Sequence, residues 1–268
     1  MASVAALEER NVSIGRIFSR TFGTIASNPV ATLGIAFLFG ALPGLALIFA
    51  VQGMMTVWVE NLGLVGPATI VGMMVFSILL YILFWMITQG ALVRATVAFS
   101  EGRKASIGEC ILAGLRVALP LFLLALISAV ALAFGFLLLI VPGVILYVMW
   151  SVAAPSLVEE RLGPIEALSR SQDLTRGARW KVFGLVLIGI VMYWLFVALV
   201  GLITVMANGG LGELAASGSS LSPVDVAINA VSSTITAAVG GVLHSSLFVE
   251  LREWKDGPAT EQLADIFG

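Results

Sequence analysis

Residues 117–158 read VALPLFLLALISAVALAFGFLLLIVPGVILYVMWSVAAPSLV and contain no charged side chain. A helix rises about 1.5 Å per residue and the bilayer core is about 30 Å thick, so the stretch is long enough for two crossings. Proline and glycine disfavour helix, which predicts the turn between the crossings at Val141-Pro142-Gly143. The sequence therefore predicts a helical hairpin in a membrane, with spans at 117–140 and 143–158.

The rest of the chain has the same character. Of its 268 residues, 59% are hydrophobic and 11% are charged, and its mean hydropathy is +1.06. Soluble domains carry about 25% charged residues, so this composition excludes an ordinary soluble domain. Four further apolar runs bring the number of predicted spans to six, and these runs are 30–52, 67–93, 181–206 and 223–248. We expect an all-α polytopic membrane protein.

The positive charges predict the topology, because lysine and arginine are retained on the cytoplasmic side of a membrane. All fourteen lie on one side of a six-span arrangement, whereas the opposite segments carry only Glu60, Glu213 and Asp225. Both termini are therefore predicted to be cytoplasmic, and residues 207–222 to form a flexible outer loop. We expect one membrane-embedded domain over residues 1–268, with a cytoplasmic amphipathic segment (1–29), a six-span bundle (30–248) and a cytoplasmic tail (249–268).

Similar segments precede spans one, three and five, and a partial copy follows span six; they open at Ser13, Ser106, Gly163 and Gly257. Ser13 and Ser106 are typical N-caps, Ser106 forms a capping box with Glu109, and Pro164 suits a first helical position. These features predict three units, each a short interfacial helix followed by a two-span hairpin. The alternative is that the short segments are only the cytoplasmic ends of long spans.

The first short segment has an amphipathic pattern. Arg16 and Arg20 share one face of a helix, and the opposite face is apolar, with Ile14, Ile17, Phe18, Phe22 and Ile25. Such a pattern is typical of a helix that lies in the membrane interface.

A charged segment, GPIEALSRSQDLTRGARW at residues 163–180, joins spans four and five. On a helix that begins at Pro164, its charges lie three or four residues apart, which are spacings at which opposite charges pair. The predicted pairs are Glu166–Arg170, Arg170–Asp173 and Asp173–Arg176. Gly177 is expected to end this helix.

Three residues then mark the entry of span five into the bilayer. Arg179, Trp180 and Lys181 have the arrangement expected of cations and an indole at a membrane surface. Two interpretations follow: a self-paired helix that anchors the chain, or a site for a lipid headgroup or another protein. The candidate headgroup residues are Arg170, Arg176, Arg179, Trp180 and Lys181.

The segment from residue 140 to residue 190 also resembles a known family. It is similar to the bacterial glycerophosphoryl diester phosphodiesterase membrane domain, related to the YciC-type inner-membrane proteins, at Pro142-Gly143, Val158-Glu159-Glu160, 163–171, 174–177 and 179–184. That family is named after proteins in which the membrane domain is joined to a separate soluble phosphodiesterase domain, and such a catalytic barrel needs about 250 residues. Spans and their connections use nearly all of this chain. The resemblance therefore implies a membrane module of the bacterial inner membrane, without hydrolase activity and without catalytic residues.

Motifs for catalysis or metal binding are not found in the sequence. It has one histidine and one cysteine, and it lacks H-E-x-x-H, G-x-S-x-G, the phosphate-binding loop and G-x-G-x-x-G. A lone Cys110 cannot form an intrachain disulfide, and the net charge of −2 does not favour nucleic acid. We expect no enzymatic activity and no cofactor or metal. The expected partners are membrane lipids, another membrane protein or a second copy of the chain.

Polar residues within spans are the best functional indication, because they are costly in lipid unless they are paired or hydrated. Span six has one stripe of polar or small residues, which consists of Asn229, Ser233, Thr236, Gly240 and His244. A second row, Ala237, Gly241 and Ser245, runs beside it. The stripe is either a close helix-packing face or the wall of a polar path or ligand groove. In span one, Gly40 and Gly44 form G-x-x-x-G, which permits close packing or a kink.

These observations predict a non-enzymatic inner-membrane protein, an accessory or lipid-interacting module in envelope homeostasis. A transporter or channel for lipids or small molecules is the first alternative, and an opening beside Asn229 and His244 would favour it. An integral membrane enzyme is the second alternative, and it would need a cluster of acids, histidines or cysteines at one membrane surface.

Overall fold

A computed structural model describes residues 12–60, 66–210 and 222–257. These residues form helices and no strand. The elements are α1 (Ile14–Ser27), α2 (Pro29–Ile35), a π-helical segment (Ala36–Ala41), α3 (Leu42–Glu60), α4 (Pro67–Ser100), α5 (Ile107–Leu138), α6 (Ile140–Met149), α7 (Ala153–Glu160), α8 (Pro164–Thr175), α9 (Arg179–Ala207) and α10 (Pro223–Asp256).

Six helical stretches are long and apolar enough to cross a membrane, which confirms the predicted all-α polytopic fold. They are Pro29–Val57, Ala68–Ser100, Ile107–Leu138, Ile140–Glu160, Arg179–Ala207 and Pro223–Asp256. Some of the predicted segments lie partly outside the described residues. These parts are 1–11 of the N-terminal segment, 211–221 of the outer loop, and 258–268, which holds the rest of the tail and of the partial fourth repeat.

The hairpin of residues 117–158 forms, but its turn lies earlier than predicted. Leu139 is the extended residue between α5 and α6, and Pro142 lies in the first turn of α6. Amide groups in a first turn have no partner within their helix, so proline is tolerated there. Gly143 has a packing role, because a Cβ atom at this residue would lie 2.5 Å from the ring of Phe136. The proline and glycine thus begin the second arm of the hairpin.

The fourth span is broken, whereas the sequence predicts a continuous helix. α6 ends at Met149 and α7 begins at Ala153. Backbone groups exposed by such a break need partners in a membrane. The Ser171 hydroxyl of α8 supplies them: it donates to the Met149 carbonyl (2.7 Å) and accepts from the Val152 amide (3.3 Å). α8 is therefore packed against the break.

The predicted repeat is only partly present. α1 and α8 are separate short helices, but α5 runs without interruption from Ile107 into the third span. The prediction of a short helix is therefore wrong for the second unit, where the alternative holds. Its N-cap is confirmed, because the Glu109 amide donates to the Ser106 hydroxyl at 3.2 Å. The Glu109 carboxylate pairs with arginines instead of closing the capping box.

Glycines set the closest approach of two spans, α4 and α5. A Cβ atom at Gly90 would lie 2.6 Å from the Val117 side chain, and one at Gly114 would overlap the Ile87 carbonyl oxygen. The two backbones are thus in direct contact, which is typical of helix packing in membranes.

We expect Gly114→Ala to lower the melting temperature of the solubilised protein by about 3–10 °C, because overpacking costs about 1–3 kcal/mol. Gly108→Ala in the same helix is the matched control. A Cβ atom there meets nothing within 4 Å, so alanine should leave the melting temperature unchanged or raise it. Equal melting temperatures for the two variants in a thermal size-exclusion assay would contradict this packing.

Candidate functional site

The first and last described helices, α1 and α10, meet at one end of the bundle through a buried carboxylate. Glu250 on α10 is 2% exposed. Its Oε1 atom accepts from the Ser13 amide (2.9 Å) and from Nε (2.9 Å) and Nη2 (2.7 Å) of Arg16. Arg20 lies 3.8 Å from the other oxygen and pairs with Glu253 at 2.8 Å. We call these five residues the Glu250 clamp.

The clamp changes the interpretation of α1. Arg16 and Arg20 face acidic groups of α10, and Ile17 on the predicted apolar face is fully buried in the protein. α1 is therefore a part of the bundle that is held by charge pairs. Phe22 is half exposed and is the residue of the apolar face that remains most accessible to a membrane surface.

The charged segment 163–180 is also held by residues outside it. Arg170 pairs with Glu160 of α7 (2.8 Å) and with Asp256 of α10. Hydrogen bonds from Arg170 to Glu160 raise the pKa of the Arg170 guanidinium. Partial burial lowers this pKa by less, and the hydrogen bond to Asp256 raises it further. Glu166 accepts from the Gly163 amide (3.0 Å). The three predicted pairs within the helix are therefore wrong for this described segment.

Gly177 ends α8 as predicted, with φ +96°. Gly177 also allows the Trp254 ring to pack closely against the backbone, because a Cβ atom at this residue would lie 3.1 Å from that ring. Trp254 of α10 thus packs against the turn between α8 and α9.

The five candidate headgroup residues are not brought to one cavity. Arg170 is held by two acids, Lys181 donates to the Val12 carbonyl (3.3 Å), and Trp180 is 86% exposed at the start of α9. Arg176 is exposed, and Nε of Arg179 is buried without a hydrogen bond in the described part of the chain. None of the five lines the four cavities described below. Their headgroup role stays a prediction.

The two rows of small and polar residues on α10 have different environments. Ala237, Gly241 and Ser245 are buried, and a Cβ atom at Gly241 would lie 2.6 Å from Leu92 of α4. A Cβ atom at Gly240 would meet nothing within 4 Å. The close-packing face is therefore the second row, and the predicted stripe faces open space.

Three cavities follow the stripe. The distal cavity, of about 540 Å³, lies farthest from the Glu250 clamp and is lined by Asn229, Ser233 and Thr236. The proximal cavity, of about 330 Å³, is lined by Thr236, Gly240 and His244. The lateral cavity, of about 260 Å³, shares Gly240 and His244 with the proximal one. All five stripe residues thus line cavities.

Two features of neighbouring spans leave room for the distal cavity. Most of α9 packs loosely: none of the residues in its most apolar window is buried, although Val182 and Leu185 near its start are, and Tyr193 and Phe196 form part of the cavity wall. In the first span, Gly40 and Gly44 present no side chains to the cavity. Gly40 lies in the π-helical segment, and a Cβ atom there would be 3.2 Å from Ala237. Such π-helical turns often occur at functional sites.

Polar groups on these cavities have unused hydrogen-bonding capacity. Three side-chain groups make no hydrogen bond to the described residues: the amide of Asn229, the hydroxyl of Thr236 and the amide of Gln89, which lines the proximal cavity. Nδ1 of His244 lies 2.8 Å from the Gly240 carbonyl, which leaves Nε2 for another partner. Unpaired polar groups in a lipid environment cost several kcal/mol each. Water or a ligand with polar groups would remove this cost.

The sequence interpretation missed a fourth cavity, of about 650 Å³, which is lined by Arg94, Arg116 and Arg161. We call it the arginine pocket. One signal could have indicated it. Arg116 and Arg161 flank the uncharged stretch 117–158, and a hairpin brings its two ends to the same membrane surface.

No group of three or more histidine, cysteine or acidic residues that could hold a metal ion occurs within the ranges the structure describes. Comparison of the chain with protein-family models, with curated proteins and with solved structures finds no match. The resemblance of residues 140–190 to the phosphodiesterase membrane domain remains a prediction.

The clamp makes a prediction about stability. Arg16→Met leaves the Glu250 carboxylate without its main partner, so we expect the unfolding free energy to fall by about 1.5–3 kcal/mol. The double variant Arg16→Met/Glu250→Met should lose less than the sum of the single losses, because no buried charge is left unpaired. Thermal unfolding in detergent measures these changes. Arg176→Met, at an exposed arginine, is the control. Strictly additive effects would show that the clamp is not coupled.

Proposed function

We propose that this chain is a non-enzymatic membrane protein that binds a lipid or another membrane amphiphile in the distal and proximal cavities beside α10. One observation carries the proposal: the side-chain amides of Asn229 and Gln89 and the Thr236 hydroxyl line cavities within the spans and make no hydrogen bond to the described residues. A ligand that reaches these groups must offer hydrogen bonds. It must also enter from, or remain within, an apolar medium.

The composition of the cavity walls supports an amphiphile. Opposite the polar stripe, the distal cavity has an apolar and aromatic wall that includes Trp85, Phe196 and Val200. Its volume lies within the range of about 300–1,000 Å³ that is usual for small-molecule sites. A ligand with a polar group and an apolar chain complements both walls at once.

A matched pair of variants tests the proposal. Thr236→Leu places a larger, apolar side chain between the distal and proximal cavities and removes the unpaired hydroxyl, whereas Thr234→Leu makes the same change two residues away, where the side chain lines neither cavity. We expect Thr236→Leu to lose most of the lipid that copurifies with the wild-type protein after mild solubilisation, and Thr234→Leu to retain it. Native mass spectrometry measures the bound species. Equal retention by both variants would contradict the proposal.

A transporter or channel for lipids or small molecules is a second candidate. It is favoured by the order of the cavities, because Thr236 lines both the distal and the proximal one and His244 lines both the proximal and the lateral one. Such a row offers successive binding positions along the membrane normal. If wild-type protein in liposomes moved labelled lipid between leaflets and Thr236→Leu did not, the transporter would replace the binding module.

We propose that the protein lies in a bacterial inner membrane with both chain ends in the cytoplasm. Its proposed role there is an accessory one in envelope homeostasis. The Glu250 clamp supports a common side for both ends, because it joins Ser13 and Arg16 to the last helix. The positive charges support the cytoplasmic assignment. The resemblance to a family of bacterial membrane modules supports the type of membrane.

Cysteine labelling tests the orientation. In a Cys110→Ala background, Ser169→Cys, at an exposed residue of α8, should stay unlabelled when intact cells meet a membrane-impermeant maleimide. Ser219→Cys in the predicted outer loop should be labelled. Both should react after the membrane is permeabilised. The reverse pattern in intact cells would show that the orientation is inverted.

A further inference from the structure

The arginine pocket lies where the C-terminal ends of α4 and α7 meet the N-terminal part of α5. Its three arginines are far apart in sequence: Arg94 is on α4, Arg116 on α5, and Arg161 directly follows α7. By the positive-inside rule these helix ends lie at the cytoplasmic surface of the membrane. The pocket is therefore accessible both to water-borne anions and to the headgroups of membrane lipids.

The two acids of this pocket, Glu109 and Glu159, both lie beside Arg94. Arg94 is held 2.8 Å from Glu109 and 3.9 Å from Glu159, and Glu109 also pairs with Arg103 at 3.2 Å. These contacts orient the Arg94 guanidinium. The three arginines and two acids of the lining, Glu109 and Glu159, together leave the pocket one net positive charge.

Two of the arginines are not held by an acid. Neither Arg116 nor Arg161 has an ion pair or a side-chain hydrogen bond within residues 12–60, 66–210 and 222–257. Both side chains nevertheless line the same cavity. Two positive groups that face one cavity without acidic partners favour the binding of an anion.

The backbone at Arg161 strengthens this interpretation. Arg161 has φ 53° and ψ 40°, and it is the one non-glycine residue with positive φ in the described ranges. Glycine adopts this left-handed conformation more readily than residues with a Cβ atom. The turn after α7 therefore does not require an arginine. The arginine supplies a guanidinium to the pocket.

Apart from its three arginines and its two acids, the pocket lining is apolar. Leu112, Pro120 and Leu162 belong to its lining, beside the arginines. Guanidinium groups bind phosphate oxygens in a bidentate manner, and such charge-assisted hydrogen bonds are stronger than neutral ones. A charged wall next to an apolar wall at a membrane surface matches a phosphate group that is attached to an apolar chain.

We propose that the arginine pocket binds the phosphate group of a phosphate ester, through Arg116 and Arg161 with Arg94 held in place by Glu109. The apolar lining favours an anionic phospholipid, and a soluble glycerol phosphate shares the same recognition chemistry. The inference goes beyond the proposed function, because it concerns a separate pocket and holds even if the cavities beside α10 contain only water.

The test uses the full chain in detergent and two substitutions that spare the fold. Arg161→Gly suits the left-handed backbone and should leave the melting temperature unchanged or raise it. Arg116→Gln removes the charge from an exposed side chain. The control is Lys104→Gln, which removes a nearby exposed positive charge that does not line the pocket. Native mass spectrometry measures binding of phosphatidylglycerol against phosphatidylcholine, and thermal shift measures binding of glycerol 3-phosphate.

We expect Arg161→Gly and Arg116→Gln each to weaken binding of the phosphate ester by roughly tenfold, and Lys104→Gln to change it less than twofold. Binding of phosphatidylglycerol alone identifies a lipid as the source, and binding of glycerol 3-phosphate identifies a soluble ester; both support the site. Equal losses for all three variants, or no loss for either arginine variant, would overturn it. Thr236→Leu should retain this binding, so a failure here is distinguishable from a failure of the proposed function.

Discussion

A carboxylate that is buried inside the protein holds the first and last described helices, α1 and α10, together. Glu250 is almost without solvent contact, and a buried charge is stable only when opposite charge and hydrogen bonds compensate for the lost water. Arg16 and the Ser13 amide provide that compensation from α1. The clamp thereby fixes the rotation of α10 about its own axis. Once that rotation is set, Ala237, Gly241 and Ser245 pack against the bundle and the polar stripe faces the cavities.

A second constraint acts on the hairpin of residues 117–158. Its uncharged arms must stay in the apolar layer, so the charged residues that flank it come to the same surface. These are Arg116 on one side and Glu159, Glu160 and Arg161 on the other. The arms do not form two plain helices, because the second is interrupted after Met149 and α8 satisfies the exposed backbone through Ser171. α8 is held in turn by Arg170, which pairs with Glu160 and Asp256. The charged segment 163–180 thus stabilises the break in the preceding span.

Much of this fold could be predicted because hydrophobic length is a local property. Six spans, the caps at Ser13 and Ser106 and the helix end at Gly177 all depend on residues that are close in sequence. The pairings of Arg16 and Arg170 could not be predicted. Spacing along one helix suggests neighbours within it, whereas their acids come from α7 and α10, up to 234 residues away. The same limit applies to the arginine pocket, whose members meet only after three helices have packed.

For the stripe on α10, the sequence left packing and a ligand path as alternatives, because both use small and polar residues. Which alternative holds depends on the residues of α9 and of the first span that lie opposite the stripe. A structure determined in lipid nanodiscs tests the central claim most directly. The account predicts density for a bound amphiphile in the distal or proximal cavity, with a polar group within hydrogen-bonding distance of Asn229 or Thr236. A structure in which α9 closes onto α10 and Phe196 fills the space beside Thr236 would contradict it.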